Sequence, residues 1–143
     1  VIPMVFCVNK RLASKYRNIP KDLNGAPLIL PTAQDQTYHA MQNYIYTNKI
    51  APKIIAEIQD LELVRMFVAM GKGVGLLNSY AVLNSFERKD LVILKDRSHF
   101  KINDTIYLIK RERKIPHPLI GRIIENFRLG SGSAPGNVPG VTA

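Results

Sequence analysis

The chain has 143 residues, 46% of them hydrophobic and 22% charged, and its 20 basic against 11 acidic side chains give a formal charge of +9. This is the composition of one globular domain or part of one. Its longest uncharged apolar run falls far short of the roughly 20 residues of a membrane-spanning helix, and no secretory-signal pattern opens the chain, so neither a membrane partner nor a retained export signal is expected.

The single cysteine, Cys7, has no intrachain partner, which suits a reducing cytoplasm. The positive excess lies at the ends: residues 1–21 carry five basic side chains and no acidic one, residues 22–109 nine of each sign, and residues 110–129 six basic against two acidic. Charge placed this way raises a nucleic-acid reading without locating it on the middle of the chain.

In chain order, Met4-Val5-Phe6-Cys7-Val8 reads as a buried strand with Cys7 as an inert core thiol. Pro27–Leu30 is the next strand, ended by Pro31. Thr32, with Asp35 three residues on, resembles a capping box, and Tyr38, Met41 and Ile45 follow at helical spacing, predicting a helix over 33–48. A second strand is predicted over 53–59, after which Asp60 can cap a helix carrying Leu61, Leu63, Val64, Phe67, Val68 and Met70. Only Glu62, Arg65, Ala69 and Lys72 form a contrasting stripe, so that helix is expected to be buried around most of its circumference. Gly71 or Gly73 should supply a left-handed turn before a strand at 74–77. A short helix at 80–86, strands at 91–94 and 105–109, and a helix opened by Pro118 with Leu119, Ile120, Ile123, Ile124 and Phe127 on one side complete the pattern. Residues 130–143 have no hydrophobic period and read as a disordered tail or an appended remnant. Strands alternating with helices indicate α/β architecture.

The chemistry-bearing motifs are sparse. Gly71-Lys72-Gly73-Val74-Gly75 follows a helix and precedes a strand, the reverse of a phosphate loop, whose glycines lead into a helix N-terminus. No Gly-x-Ser-x-Gly elbow exposes a nucleophile, so no catalytic residue is assigned. His39, His99 and His117 are far apart without thiol or carboxylate at ligand spacing, so no metal site and no cofactor are expected, and His39 reads as a partly buried packing residue. What remains is geometric: in open parallel sheets ligands sit beyond the carboxyl ends of strands, where helix N-termini converge. Two such ends are expected, at Thr32, Ala33 and Gln34 and at Gln59, Asp60 and Leu61, presenting backbone N–H groups and polar side chains to one cleft. Asp35 and Asp60 at its rim disfavour a strongly anionic ligand and leave a zwitterion, a polar neutral molecule or a cation.

Leu23-Asn24-Gly25-Ala26-Pro27-Leu28-Ile29-Leu30-Pro31-Thr32, followed by Val68-Ala69-Met70-Gly71-Lys72-Gly73-Val74-Gly75-Leu76-Leu77, resembles the effector-binding domain of LysR-type transcriptional regulators. Glu112-Arg113-Lys114-Ile115-Pro116-His117-Pro118 further resembles the branch that activates sodium/proton antiporter genes, the NhaR-like regulators. The resemblance implies a lobe of the type II periplasmic-binding-protein fold, with a mixed sheet of about five strands flanked by helices. It divides the chain into a crossover strand and basic connector (1–21), effector-binding lobe 2 (22–103), the return strand and last helix of lobe 1 (104–129) and the tail. It implies a cytoplasmic, homo-oligomeric regulator, dimer or tetramer, that is not an enzyme and binds a small molecule or ion between its lobes. DNA would be contacted only through an N-terminal winged helix-turn-helix that this chain, read as a fragment, lacks along with the start of lobe 1. Thr32 and the Gln59-Asp60-Leu61 segment match effector-contacting positions. Where the family ends the glycine-rich strand with Leu-Pro, this chain has Leu77-Asn78, so a different turn is expected. A lobe of a solute-binding protein or of an enzyme on the same fold is the alternative.

Overall fold

The computed structural model describes residues 2–83, 90–98, 101–110 and 118–127. The chain divides after Thr105 into two compact units. The first holds β1 (Ile2–Asn9), β2 (Pro27–Leu30), α1 (Tyr38–Thr47), β3 (Lys53–Glu57), α2 (Leu61–Ala69), β4 (Val74–Asn78), α3 (Ser79–Leu83), β5 (Leu91–Ile93) and β6 (Asn103–Asp104). The second holds α4 (Pro118–Asn126), whose Leu119, Ile123 and Phe127 follow the expected amphipathic spacing.

The sheet runs β3-β2-β4-β1-β5, and β6 pairs with the start of β1. β2 is parallel to β3 and β4, whereas β1 is antiparallel to β4, β5 and β6. This mixed sheet matches the expected α/β class. Strand periodicity sorts its core into two layers. Phe6, Val8, Leu28, Leu30, Val74 and Leu76 are buried with Met41 and Tyr44 of α1. The alternate positions Cys7, Ile29 and Leu77 are buried with Val64 and Val68 of α2. Tyr44 packs its ring on Phe6 at a centroid distance of 5.2 Å.

Two glycines set the passage from α2 into β4. Gly71 has φ +74°, the left-handed turn that ends the helix. Gly75 lies where α2 presses on the sheet: a Cβ there would come within 2.5 Å of Val68 Cγ2 and 3.0 Å of Val64 Cγ1.

Four expectations are corrected. The first crossover helix begins at Tyr38, not at residue 33, because residues 32–37 form hydrogen-bonded turns in which Asp35 N donates to Thr32 O at 2.9 Å and Tyr38 N to Asp35 O at 3.1 Å. α2 is buried on one side only: Val64 and Val68 are covered against the sheet, whereas Leu63, Met66 and, just past the helix, Met70 are exposed. His39 is exposed and meets the Tyr38 ring edge-on at 5.5 Å. Residues 105–109 form no strand. Pairing with β1 ends at Asp104, opposite Ile2, and Ile106, Tyr107, Leu108 and Ile109 are exposed. The end of the helix expected at 80–86, His99, His117, the 112–117 motif and the 130–143 tail lie outside the described residues.

Replacing Gly75 by Ala should lower stability by about 1–3 kcal/mol through overpacking against Val68, whereas Gly121→Ala, where a Cβ meets nothing within 4 Å, should cause no loss; thermal melts of the two variants decide this. Cys7 is fully buried and burial pushes its thiol well above the ordinary range, so the native protein should stay unmodified by a thiol reagent that reacts promptly after denaturation.

Candidate functional site

Because β2, β3 and β4 are parallel, their carboxyl ends reach one edge of the sheet together. Leu30 lies beside Glu57, and Ile58 N donates to Leu30 O at 2.9 Å, so Pro31 and Gln59 leave the sheet side by side. β1 begins at the same edge, with Met4 opposite Asn78. A small cavity of about 10 Å³ lies there, lined in part by Met4, Pro31, Asp35, Thr37, Gln59 and Leu61. That volume is near the minimum for one water molecule, so a larger ligand has to open the loops or enter from outside them.

Of the six residues expected to contact a ligand, Gln59 and Leu61 line this cavity. Thr32 follows Pro31 and is half-buried; its Oγ1 is inaccessible and has no hydrogen-bond partner. It therefore does not cap α1, contrary to the capping-box reading, and stands as an unused hydroxyl at the strand end. Ala33 and Gln34 are exposed in the turn beyond it. Asp60 caps α2 as expected, its Oδ1 accepting from Leu63 N at 2.8 Å. With α1 starting at Tyr38, the expected meeting of two helix N-termini reduces to one, that of α2, beside a loop of turns.

Sequence reasoning did not separate the roles within that loop. Asp35 Oδ1 accepts from Thr37 N at 2.7 Å and from Thr37 Oγ1 at 2.6 Å, a local Asx arrangement that fixes the turn. Gln36 reaches further: its Nε2 donates to Asp104 Oδ1 and, at 3.1 Å, to Thr105 O. The loop that follows β2 is thereby tied to the last residues of the first unit. No motif flags Gln36, because its partners are 68 and 69 residues away. At the third strand end Asn78 Oδ1 accepts from Ala81 N at 2.8 Å and so caps α3, which makes good the turn that lacks the family's proline.

Gln36→Leu removes both tethers at nearly constant volume. Faster amide exchange at 32–37 and at 104–106, with a melting temperature lowered by no more than the equivalent of about 1 kcal/mol, is expected; unchanged exchange at both segments would show that the tether does not hold them.

Among the described residues no helix is long and apolar enough to cross a membrane, and no group of three or more His, Cys, Asp and Glu side chains is placed to hold a metal ion. The family described as LysR substrate binding domain matches residues 2–129. Solved structures share the fold at low identity. The regulatory domain of CcmR from Synechocystis PCC6803, in complex with 2-PG, is 23% identical, with a TM-score of 0.62 over 71% of this chain and 50% of that one. The effector binding domain of QuiR, in complex with shikimate, is 13% identical, with a TM-score of 0.60 over 71% and 48%. The bromide-bound regulatory domain of HypT from Salmonella typhimurium is 12% identical, with a TM-score of 0.56 over 67% and 45%. The chain thus spans about half the length of these neighbours. No curated protein matches the sequence. With the family match running from the first strand beyond the last helix, and the same fold in these regulatory domains, the chain belongs to the LysR substrate binding domain family, the effector-binding domain of LysR-type regulators.

Proposed function

We propose that this domain senses a small polar molecule at the carboxyl edge of its sheet, through Thr32, Ala33, Gln34, Gln59, Asp60 and Leu61, and converts its binding into a change of geometry in a DNA-bound homo-oligomer, dimer or tetramer, in the cytoplasm. The observation that carries this reading is the Thr32 hydroxyl, inaccessible and without a partner, one residue after Pro31, which lines the cavity together with Gln59 and Leu61. A polar atom left in that state favours any ligand that supplies its missing hydrogen bond. The N-terminus of α2 adds backbone donors to the same rim.

In this reading residues 22–103 act as effector lobe 2, residues 1–21 as crossover strand and connector, and residues 104–129 as the return to lobe 1. The Gln36 tether gives binding a route outward, because it joins the loop after β2 to Asp104 and Thr105, where the chain leaves the first unit. A ligand that fits one arrangement of that loop better than another shifts the population by its difference in affinity, tenfold for about 1.4 kcal/mol. The work is binding alone, with no catalytic step, and contact with DNA would fall to a separate helix-turn-helix domain of the intact regulator.

The 112–118 motif supports placement in the NhaR-like branch. For such a regulator a sodium ion held directly by Asp35 or Asp60 is less favoured than an organic effector, since Asp35 Oδ1 and Asp60 Oδ1 already accept backbone N–H groups. The family match favours this reading over a lobe of a solute-binding protein or enzyme.

In the intact regulator, Thr32→Val combined with Gln59→Leu should reduce effector-dependent transcription at least tenfold and leave promoter binding unchanged. A reporter response identical to the parent's would reject these residues as the site.

A further inference from the structure

The opposite edge of the sheet carries a second feature, independent of the site just proposed. β1 runs from Met4, beside the first site, to Asn9, five residues and about 17 Å away at strand rise. There the end of β1, the 3-10 turn that follows it, the end of α2 and Asp90 enclose an open cleft of about 840 Å³, within the size range of small-molecule sites. Its frame is stapled: Asn9 Nδ2 donates to Ala69 O at 2.5 Å, Asn9 Oδ1 accepts from Arg11 N at 2.9 Å, and Lys10 N donates to Asp90 O at 2.9 Å.

Three chemistries face one another across this frame. Asp90 lines the cleft and is half-buried, and its carboxylate, whose buried Oδ1 has no hydrogen-bond partner, brings a negative charge there. Arg65 does not line the cleft and is forked onto Glu62, Nε to Oε2 at 2.7 Å and Nη2 to Oε1 at 2.5 Å. Lys10 and Arg11 are exposed, line the cleft and form no ion pair among the described residues. Leu12 and Met70, the latter 66% exposed, supply an apolar wall. A plain anion would meet Asp90 and a plain cation would meet Lys10 and Arg11, so the cleft favours a molecule carrying both charges on an apolar body.

We propose that this cleft binds an apolar α-amino acid, with its carboxylate against Lys10 and Arg11, its ammonium against the Asp90 carboxylate, and its side chain on Leu12 and Met70.

The test is a titration of the 143-residue chain, followed by amide chemical shifts and calorimetry, with L-phenylalanine and L-leucine. It is repeated with 3-phenylpropionate, which lacks the ammonium, and 2-phenylethylamine, which lacks the carboxylate. The expected result is saturable binding of at least one amino acid, with shifts centred on Lys10, Arg11, Met70 and Asp90. Binding of each truncated probe should be at least about tenfold weaker, a difference of about 1.4 kcal/mol. The isosteric Asp90→Asn should weaken the amino acid about tenfold while leaving 3-phenylpropionate no weaker. Lys10→Gln with Arg11→Gln, both at exposed positions, should weaken the amino acid and leave 2-phenylethylamine no weaker. Absence of saturation by both amino acids up to about 10 mM, equal binding of all probes, or shifts centred on 31–37 would each overturn the proposal. Loss of effector response at Thr32 and Gln59 would bear only on the first site.

Discussion

The antiparallel insertion of β1 between β4 and β5 is the interaction on which the rest of the structure depends. Its backbone pairs with three strands drawn from positions 74–78, 91–93 and 103–104, and its side chains are divided between the two core layers, Phe6 and Val8 toward α1 and Cys7 toward α2. A strand paired on both edges and covered on both faces has no tolerance for a shift of register, since a one-residue slip would exchange the two layers. Its direction has a further consequence. β1 starts at the edge where the parallel strands end and finishes where they begin, so its two termini border both features described above.

At the carboxyl edge the parallel strands leave their unfinished polar groups. Asp60 and Asn78 answer the helix starts, Asp35 answers the turn before α1, and the Thr32 hydroxyl is left over. These hydrogen bonds hold the loops at the strand ends, and the Thr32 hydroxyl takes no part in them. Gln36 adds the mechanical link. A side chain in the same loop grips the segment through which the chain passes out of the first unit, so movement of the loop and movement of that segment are not independent.

The electrostatic character of the domain differs between the two ends. The carboxyl edge is furnished with carboxylates committed to backbone N–H groups, whereas the opposite edge has Lys10 and Arg11 free of ion pairs among the described residues and a carboxylate oxygen with no donor. The +9 charge of the chain is therefore a poor guide to what it binds. Two of its basic side chains border a cleft that also holds an unanswered carboxylate, and such a cleft discriminates by arrangement of charge more than by its sum.

The sequence by itself determined the elements and their class. Pro31 ends β2, Asp60 opens α2 and Gly71 closes it, each by a local constraint of ring geometry, side-chain reach or positive φ that needs no neighbour to act. The pattern around Pro27–Leu30 and Val74–Asn78 was enough to point to the family, and the strand ends it marked are where Gln59 and Leu61 line the cavity. Tertiary structure alone decided the rest. Thr32 looked like a cap from spacing, but Asp35 and Thr37 formed a competing turn and moved the helix start by five residues. Leu63, Met66 and Met70 are apolar enough for a core, yet only Val64 and Val68 of that helix are turned onto the sheet and buried. Residues 105–109 have the composition of a strand, but a strand also needs a paired neighbour, and the pairing with β1 stops at Asp104. The pairing of Gln36 with Asp104 and the facing of Lys10 with Asp90 join residues 68 and 80 positions apart, contacts set by the course of β1 through the sheet and invisible to any local window of sequence.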